Sequence, residues 1–361
     1  MAKDLKVLII PLDWGLGHAT RCVPMIAYML SKGWQITLAG EGKTANLLRR
    51  EFPQLQILPL RGYRIGYPQK GIFFIPAIII QFPKIIFSVI YENIWLRRKM
   101  QLHGWDIVIS DNRYGLFHQK AKTIFITHQI APISGLGRIV DWLMQLISTH
   151  FIQHFNACWV PDAPDDPTIS GRLSHPRTVP KNITYIGPLS RMKTNNITEE
   201  DFILLLLSGP EPQRTILENK LIEQVSSLQY AFICIRGLPI DQSIPTASNN
   251  IHFINHLPAD EMANMIARSK MVVCRTGYST VMDLISLRKK AIVIPTPGQT
   301  EQEYLGKRLN NLGWYVVQTQ QNLEIEKGIK QCIDSQYHIP LFDFETYRKS
   351  IDQFGIQHFG A

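Results

Sequence analysis

The stretch that decides the fold runs from residue 274 to residue 308 and reads CRTGYSTVMDLISLRKKAIVIPTPGQTEQEYLGKR. Its first residue closes an apolar run, 271–274, and a second apolar run occupies 291–294; both are typical of buried strands. Between the two runs the apolar residues follow helical spacing. The stretch therefore predicts a strand–turn–helix–strand unit with small and hydroxyl residues at the turn.

The turn at 276–280 opens the predicted helix. Backbone N–H groups at the positive end of a helix are free to hold a phosphate. The polar run 298–304 follows the second strand, at the place where open α/β sheets bind ligands. An ordinary βαβ crossover is the alternative for the turn alone, and the polar run favours a ligand.

These residues resemble the nucleotide-sugar half of a family 28 glycosyltransferase. The shared pattern is C-R-[ST]-G-x-x-T-V-x-[ED], a strand that ends in proline, and a Gln/Glu pair before tyrosine. The resemblance to MurG-type enzymes implies that the turn faces the diphosphate, that Asp283 holds the ribose, and that Gln302 with Glu303 faces the sugar. Asp283 is shorter than the family's glutamate, and Glu303 replaces an amide, so the donor sugar is left open. The nucleotide-sugar-binding residues implied in this stretch are Arg275, Thr276, Gly277, Tyr278, Ser279, Thr280, Asp283, Gln299, Gln302 and Glu303.

Length, charge and cysteine content narrow the class of protein. At 361 residues the chain is long for one α/β core, so two domains are expected. The net charge of +9 favours anionic lipid or phosphorylated substrates, and without a run of Lys and Arg no nucleic-acid partner is expected. The five cysteines are spaced neither as zinc ligands nor as a disulfide framework, and no signal peptide precedes the first apolar run. We therefore expect a cytoplasmic protein.

The N-terminal region begins with an apolar run, 6–10, followed by PLDWGLGHATRC and then by apolar residues at helical spacing. A strand, a Gly-rich turn and a helix indicate a nucleotide-fold unit, although the third glycine of the dinucleotide fingerprint is missing. In this G-x-G-H-x-x-R pattern, His18 falls near the start of the helix. The positive helix end disfavours protonation of the imidazole and keeps it available as a base.

His18 is the predicted catalytic residue. An inverting sugar transfer requires a general base that removes a proton from the acceptor hydroxyl, and MurG-type enzymes carry a Gly-rich loop with a histidine at this place. The alternative is that His18 only caps the helix or binds a phosphate. Asp13 and Arg21, unless they are merely solvated, and the loop residues Gly15 and Gly17 are expected at the acceptor.

Two further predicted strands end in polar clusters. The run 106–110 ends in SDNRYG, and the run 123–127 ends in His128. Because the carboxyl ends of parallel strands meet at one edge of a sheet, both clusters are predicted to point into the crevice of His18. Arg113 is the preferred contact for a phosphate or carboxylate; the alternative is that these side chains only connect loops. The acceptor-side residues predicted here are Asp111, Asn112, Arg113 and His128.

Residues 72–99 include the most apolar region of the chain. Pro76 and Pro83 interrupt it, and its charge-free part is shorter than the roughly 20 residues of a spanning helix. Three cations, at 97–99, follow the apolar part. An apolar surface segment beside a basic cluster is typical of a peripheral protein on an anionic leaflet, whereas a buried core helix or an interdomain flap is the alternative. The resemblance to MurG-type enzymes favours contact with the inner face of the cell membrane and a lipid-linked acceptor.

The predicted domains are 1–188, which binds the acceptor and carries segment 72–99, and 189–361, which binds the nucleotide-sugar. The second domain opens with an apolar run that ends in SGPEPQRT. This loop matches the Gly-rich loop of the MurG-type enzymes only in part, because its prolines offer fewer N–H groups. The resemblance places Ser208, Gly209 and Arg214 at the nucleotide-sugar, and Phe253 and Ile254 at the base.

Together these patterns predict an α/β protein of the GT-B architecture, with two doubly wound Rossmann-like domains facing across a cleft. The function implied is an inverting, metal-independent transfer of a sugar, without a cofactor, from a UDP-sugar or other nucleotide-sugar to a lipid-linked or glycan hydroxyl in cell-envelope glycan synthesis. No Asp-x-Asp metal clamp occurs, which agrees with leaving-group stabilisation by the protein. Two alternatives stay open. One is a nucleotide-sugar hydrolase of the PseG type, whose opening is similar; the other is a nucleotide-sugar-binding protein without turnover.

Overall fold

The structure, a computed structural model, describes residues 4–64, 74–192, 197–238, 243–245 and 249–360, with the backbone alone for 74–79. The described chain forms two compact units, each built on one parallel sheet. The first unit takes in residues up to 64 together with Ile78–Ser190 and Phe342–Ala361, and the second takes in Arg191–Leu341. This is the predicted pair of doubly wound α/β domains.

The first unit contains a seven-stranded sheet. In chain order its elements up to residue 185 are β1 (Lys6–Pro11), α1 (Gly17–Ser31), β2 (Gln35–Gly40), α2 (Gly42–Glu51), β3 (Gln56–Pro59), α3 (Phe74–His103), β4 (Ile107–Asp111), β5 (Lys122–Ile126), α4 (Arg138–Ile152), β6 (Ala157–Val160) and β7 (Ile183–Tyr185). The strand order is β3-β2-β1-β4-β5-β6-β7, and every pairing is parallel. The order reverses between β1 and β4, and sheets of this kind bind ligands at such a switch point.

The helix α3 shows two different faces. Trp95, Leu96 and Met100 are buried against the central strands of the first sheet. Other apolar side chains of the same helix are exposed, among them Phe87 at 72% and Ile90 at 51%. The predicted apolar segment is therefore partly core and partly surface. Its residues 72 and 73 lie outside the described residues.

The second unit contains a six-stranded parallel sheet of order β10-β9-β8-β11-β12-β13. Its core is formed by apolar side chains of the strands together with those of the first and last helices of the unit. The elements are β8 (Phe202–Leu206), α5 (Gln213–Val225), β9 (Ala231–Ile235), β10 (Ile251–Ile254), α6 (Ala259–Arg268), β11 (Met271–Arg275), α7 (Tyr278–Ser286), β12 (Ala291–Ile294), α8 (Thr300–Asn311), β13 (Val316–Val317) and α9 (Ile325–Asp334).

The last helix, α10 (Thr346–Phe359), packs with the first unit, whereas the predicted boundary placed it in the second. The Tyr28 hydroxyl of α1 donates to Asp352 Oδ2 at 2.7 Å, and Phe354 meets Trp159 of β6 edge-on at 5.8 Å. These contacts join positions more than 190 residues apart, so no local pattern in the sequence indicates them.

None of the helices that the structure describes combines sufficient length with sufficient apolar character to cross a bilayer.

Candidate active site

The first site lies where α1 follows β1. His18 is in the first turn of α1, and Arg21 follows three residues later on the same side of the helix. Asp111 ends the neighbouring strand β4 and is fully buried. Its Oδ1 lies 3.0 Å from His18 Nδ1, and its Oδ2 accepts a hydrogen bond from Arg21 Nε at 2.6 Å. His18 itself is 14% exposed. A buried carboxylate therefore orients a partly accessible imidazole.

The charge on Asp111 is set by opposing effects. Burial raises the pKa of this carboxyl, but the Arg21 guanidinium and the His18 ring, through charge and hydrogen bonding, outweigh burial and hold the pKa well below its usual range. Asp111 is therefore ionised at neutral pH and acts only as a hydrogen-bond acceptor.

The ends of β4 and β5 meet at this site, as the polar clusters predicted. His128 follows β5, is 4% exposed, and its Nδ1 lies 3.0 Å from Arg21 Nη1. Asn112 has a φ of +58°, a conformation that asparagine tolerates, and its N–H donates to Ile126 O. Asp111 and His128 are thus brought together with His18 through Arg21.

Arg21 and Asp13 differ from their predicted acceptor contacts. Arg21 is 2% exposed, and its donors are directed at Asp111 and His128. It therefore holds the buried side chains of the site together and does not contact the acceptor. The Asp13 carboxylate accepts the Tyr63 N–H at 3.0 Å, and it fills the place where a Cβ on Gly62 would lie. Gly15, with φ of +98°, completes the same loop before Gly17 starts α1.

Arg113 is not an acceptor contact, because it is fully buried in an ion pair with Glu92 of α3. Arg113 Nε lies 2.7 Å from Glu92 Oε1, and Arg113 Nη2 donates to Arg61 O at 2.7 Å. Burial raises the pKa of Glu92, and the Arg113 charge opposes that rise. The same carboxylate accepts the Gly115 N–H, so the pair fastens α3 to the loop after β4.

The second site lies at the start of α7, where the phosphate turn was predicted. Gly277 is the N-cap residue of the helix and has no side chain that could cap it. The first N–H groups of an α-helix point out of its start and do not bond within the helix. Ser279, Thr280 and Asp283 are half-buried on the first turns, and Tyr278 is buried. This arrangement suits an anion.

Two buried hydroxyls lie at the same edge of the second sheet. Thr276 directly follows β11 and Thr296 follows β12, and these strands pair with Arg275 opposite Ile294. Both side chains are at most 1% exposed, and neither hydroxyl has a hydrogen-bond partner in the described part of the chain. Thr296 was missed from the sequence; its only signal is a hydroxyl residue just beyond a strand end.

The polar run after β12 folds back on its own loop. Gln302 Oε1 accepts the Thr296 N–H at 2.9 Å, Glu303 Oε1 accepts the Gly298 N–H at 2.8 Å, and Gln302 also contacts Gln299. The three side chains thereby shape the loop beside the Thr296 hydroxyl. Their contact with a donor sugar stays a prediction.

Three residues predicted to bind the nucleotide-sugar instead contact other residues of the second unit. Arg275 is 1% exposed and donates to Gln320 Oε1 at 2.6 Å, and burial lowers its pKa to about 10. Arg214 is held between Glu218 and Glu211. Phe253 belongs to the hydrophobic core.

The remaining predicted residues of this unit are more accessible. Ile254 and Ser208 are half-buried, and Gly209 is exposed, with φ of +107° and open space where a Cβ would lie. Among the residues described, no group of three or more His, Cys, Asp or Glu side chains is arranged to hold a metal ion.

The sequence is similar to those of known glycosyltransferases. Residues 213–354 match the Glycosyltransferase family 28 C-terminal domain. An uncharacterized glycosyltransferase of Methanosarcina acetivorans is 23% identical over 329 residues, covering 86% of this chain and 82% of the relative. The UDP-N-acetylglucosamine--N-acetylmuramyl-(pentapeptide) pyrophosphoryl-undecaprenol N-acetylglucosamine transferase of Pasteurella multocida is 23% identical over 346 residues, covering 91% and 88%.

Solved structures agree on the fold. The glycotransferase of kitacinnamycin superimposes with a TM-score of 0.67 at 12% identity, covering 99% of this chain and 96% of the other. Acinetobacter baumannii MurG gives a TM-score of 0.55 at 12% identity, covering 98% and 99%. Two parallel-sheet α/β units of this kind define the GT-B class of glycosyltransferases. Residues 213–354 carry the family 28 domain, and the relatives support the resemblance to MurG-like glycosyltransferases found in residues 274–308.

Proposed function

We propose that this glycosyltransferase moves a sugar, with inversion, from a UDP-sugar to a hydroxyl acceptor and uses His18 as the general base. The observation that carries the proposal is the pairing of a partly accessible His18 with the buried, ionised Asp111. An imidazole oriented by a carboxylate takes a proton readily, because the carboxylate stabilises the imidazolium that forms.

The second unit supplies the donor half of the chemistry. When the bond between the sugar and the diphosphate breaks, negative charge develops on the leaving phosphate oxygen. The start of α7, whose N-cap residue is Gly277, directs backbone N–H groups and the positive end of a helix at that charge. The protein itself thus stabilises the leaving group, and the reaction is proposed to need neither a metal nor a cofactor.

The proposed reaction is a single displacement. His18 removes the proton of the acceptor hydroxyl as its oxygen bonds to the anomeric carbon, while the bond from that carbon to the diphosphate oxygen breaks. Attack from the side opposite the leaving group inverts the anomeric configuration. The relatives named for a UDP-sugar donor and an undecaprenol-linked acceptor support the choice of UDP and of a lipid-linked acceptor in cell-envelope synthesis.

The acceptor is proposed to be presented by an anionic membrane at the cytoplasmic side. On α3, Ile80 and Phe87 are 78% and 72% exposed, and on α4, Ile139 and Trp142 are 77% and 57% exposed. Soluble proteins rarely leave so many large apolar side chains uncovered.

The two helices meet one loop, because Asn93 of α3 donates to Gly115 O at 3.0 Å and His154 next to α4 packs on Phe117 at 4.9 Å. Arg97 and Arg98, both exposed near the end of α3, add positive charge that anionic headgroups attract. Apolar surface and charge together support a peripheral membrane contact.

Membrane contact predicts a loss of vesicle binding when a large apolar side chain is removed. We expect Phe87→Ser or Trp142→Ser to weaken binding to phosphatidylglycerol-containing vesicles about tenfold, because each side chain contributes roughly 1.5 kcal/mol or more when it leaves water. The measurement is vesicle cosedimentation at two salt concentrations. Ile356→Ser, at a 63% exposed position on α10, is the matched control. Equal binding by all variants would contradict membrane contact through α3 and α4.

The donor site is tested by thermal shift with UDP, GDP, TDP and CMP sugars. A UDP-sugar at a hundredfold excess over its Kd stabilises the folded state by about 2.7 kcal/mol, which raises the Tm of the second unit, roughly 150 residues long, by about 5 to 10 °C. Gly277 has φ of −74°, and an added Cβ would meet only Thr280 Oγ1 at 3.7 Å, so a larger side chain fits the unliganded fold. Gly277→Glu is therefore expected to fold normally and to lose the shift, because its carboxylate repels the diphosphate.

The control for Gly277→Glu is Gln331→Glu, which adds the same charge at an exposed position of α9. This variant should keep the full response to the UDP-sugar. If Gly277→Glu kept the response as well, the start of α7 would not be the diphosphate site. A response to another nucleotide alone would correct the donor base.

A further inference from the structure

Arg21 joins both histidines of the first site, His18 and His128, to the same buried carboxylate. Three of its nitrogens are used: Nε donates to Asp111 Oδ2 at 2.6 Å, Nη2 contacts Asp111 Oδ1, and Nη1 lies 3.0 Å from His128 Nδ1. Arg21 and Asp111 are 2% and 0% exposed, so water does not compete for these bonds. We propose that Arg21 is a positioning residue that, with Asp111, holds His18 and His128 in opposite tautomers.

The tautomer of His128 follows from the chemistry of its neighbour. A guanidinium has only donors, so the contact between Arg21 Nη1 and His128 Nδ1 requires Nδ1 to be the acceptor. In a neutral imidazole the hydrogen then lies on Nε2. That nitrogen lies 3.4 Å from Gln129 Nε2, which is also a donor, so this tautomer requires the Gln129 amide to be turned until its oxygen accepts the hydrogen of His128. His128 is thereby a hydrogen-bond donor at Nε2 and not a competing base.

The tautomer of His18 is the reverse. Its Nδ1 lies 3.0 Å from Asp111 Oδ1 and 2.9 Å from Arg21 Nη2, and it can serve only one of them. Arg21 Nη2 already has a charged acceptor in Asp111, and hydrogen bonds to a carboxylate are stronger than those to a neutral nitrogen. His18 therefore carries its hydrogen on Nδ1 and donates to Asp111, which leaves Nε2 free to accept a proton.

The remaining group that faces Asp111 does not disturb this assignment. Cys22 Sγ lies 3.6 Å from Asp111 Oδ2, and burial, followed by the charge of Asp111, raises the pKa of the thiol well above its usual range. Cys22 thus stays a neutral, weak donor. The Asp111–Arg21 pair therefore makes His18 a proton acceptor and His128 a hydrogen-bond donor. The effect of these tautomers on turnover rests on the proposed function of His18.

The test is nitrogen NMR of the full chain with 15N-labelled histidine at about pH 8, where unperturbed imidazoles are neutral. Protonated and unprotonated ring nitrogens have distinct shifts, and His18→Gln and His128→Gln identify the signals by their loss. We expect hydrogen on Nδ1 of His18 and on Nε2 of His128. Hydrogen on Nδ1 of His128, or on Nε2 of His18, overturns the proposal without the need for any variant of Arg21.

Arg21→Lys then tests the positioning role, because lysine keeps the charge but not the fork of donors. We expect both tautomers of His128 to appear, kcat to fall about a hundredfold, and the affinity for the UDP-sugar to stay unchanged. Arg50→Lys, at an exposed position of α2, is the control and should change none of these. Unchanged spectra and kcat in Arg21→Lys also overturn the proposal. The spectra do not depend on turnover: if the tautomers are as stated but His18→Gln remains fully active, the proposed base fails and the tautomer assignment stands.

Discussion

His18→Gln is expected to lower kcat for sugar transfer by about 10² to 10⁴, the usual contribution of a general base. Glutamine keeps the polar character of the position but cannot take up the proton of the acceptor hydroxyl. The affinity for the donor should not change, because the groups proposed to bind the diphosphate belong to the second unit. Transfer of radiolabelled sugar to a membrane extract measures kcat, and calorimetry with the UDP-sugar measures donor binding.

The control for this variant is His338→Gln, at an exposed histidine that should be dispensable. Full turnover by His18→Gln would contradict the proposed base. Two outcomes with the unaltered protein separate the other functions considered. Release of free sugar without an acceptor would indicate a nucleotide-sugar hydrolase, and donor binding without product from any acceptor would indicate a binding protein.

Arg113→Met is expected to lower the free energy of unfolding by about 3 to 5 kcal/mol, because it leaves the Glu92 carboxylate buried without its partner. The loss should be larger at pH 7 than at pH 5. Burial raises the pKa of Glu92 and the Arg113 charge opposes that rise, so removal of Arg113 raises the pKa further. A carboxyl with a raised pKa binds more protons when folded, and the variant therefore loses more stability than the unaltered protein as the pH rises. Urea unfolding at both pH values measures the effect.

A second Arg–Glu pair of the same unit gives the control. Arg64 pairs with Glu41 at 2.7 Å, but the two side chains are 58% and 27% exposed, so Arg64→Met should cost less than about 1 kcal/mol. The double variant Glu92→Met with Arg113→Met should recover much of the loss, because no buried charge remains. If Arg113→Met kept its stability and instead raised the KM for the acceptor, the acceptor contact predicted from the sequence would be correct.

Much of the fold was predictable because parallel strands are short apolar runs. The run 291–294 is a strand with the predicted bounds, the runs 271–274 and 6–10 lie in strands one residue longer, and a helix follows the turn at Gly277. An apolar run of this length indicates a buried strand. The turn or helix that follows the strand then sets the position of the residues at its end. The meeting of Asp111 with His18 was predicted for the same reason, since Asp111 ends β4 and His18 comes after the adjacent strand β1.

Side-chain partners were less predictable, because they come from distant parts of the chain. Arg113 looked like an anion contact until Glu92 was found opposite it, and Arg275 is bound by Gln320, 45 residues away. The sequence alone does not distinguish a charged residue that faces a ligand from one that pairs with a buried carboxylate. The Thr296 hydroxyl, which has no partner among the described residues, likewise depends on how the surrounding loop closes.

The return of α10 to the first unit has a consequence for biosynthesis. A ribosome makes the chain from the N-terminus, and domains generally fold as they emerge. Residues 191–341 are released before α10 exists, so the second sheet can be completed while Tyr28 and Trp159 still await the side chains of α10. The half of the protein that is synthesised first is therefore the half that completes its folding last. A nascent chain stalled before residue 346 would expose the surface that α10 covers to chaperones.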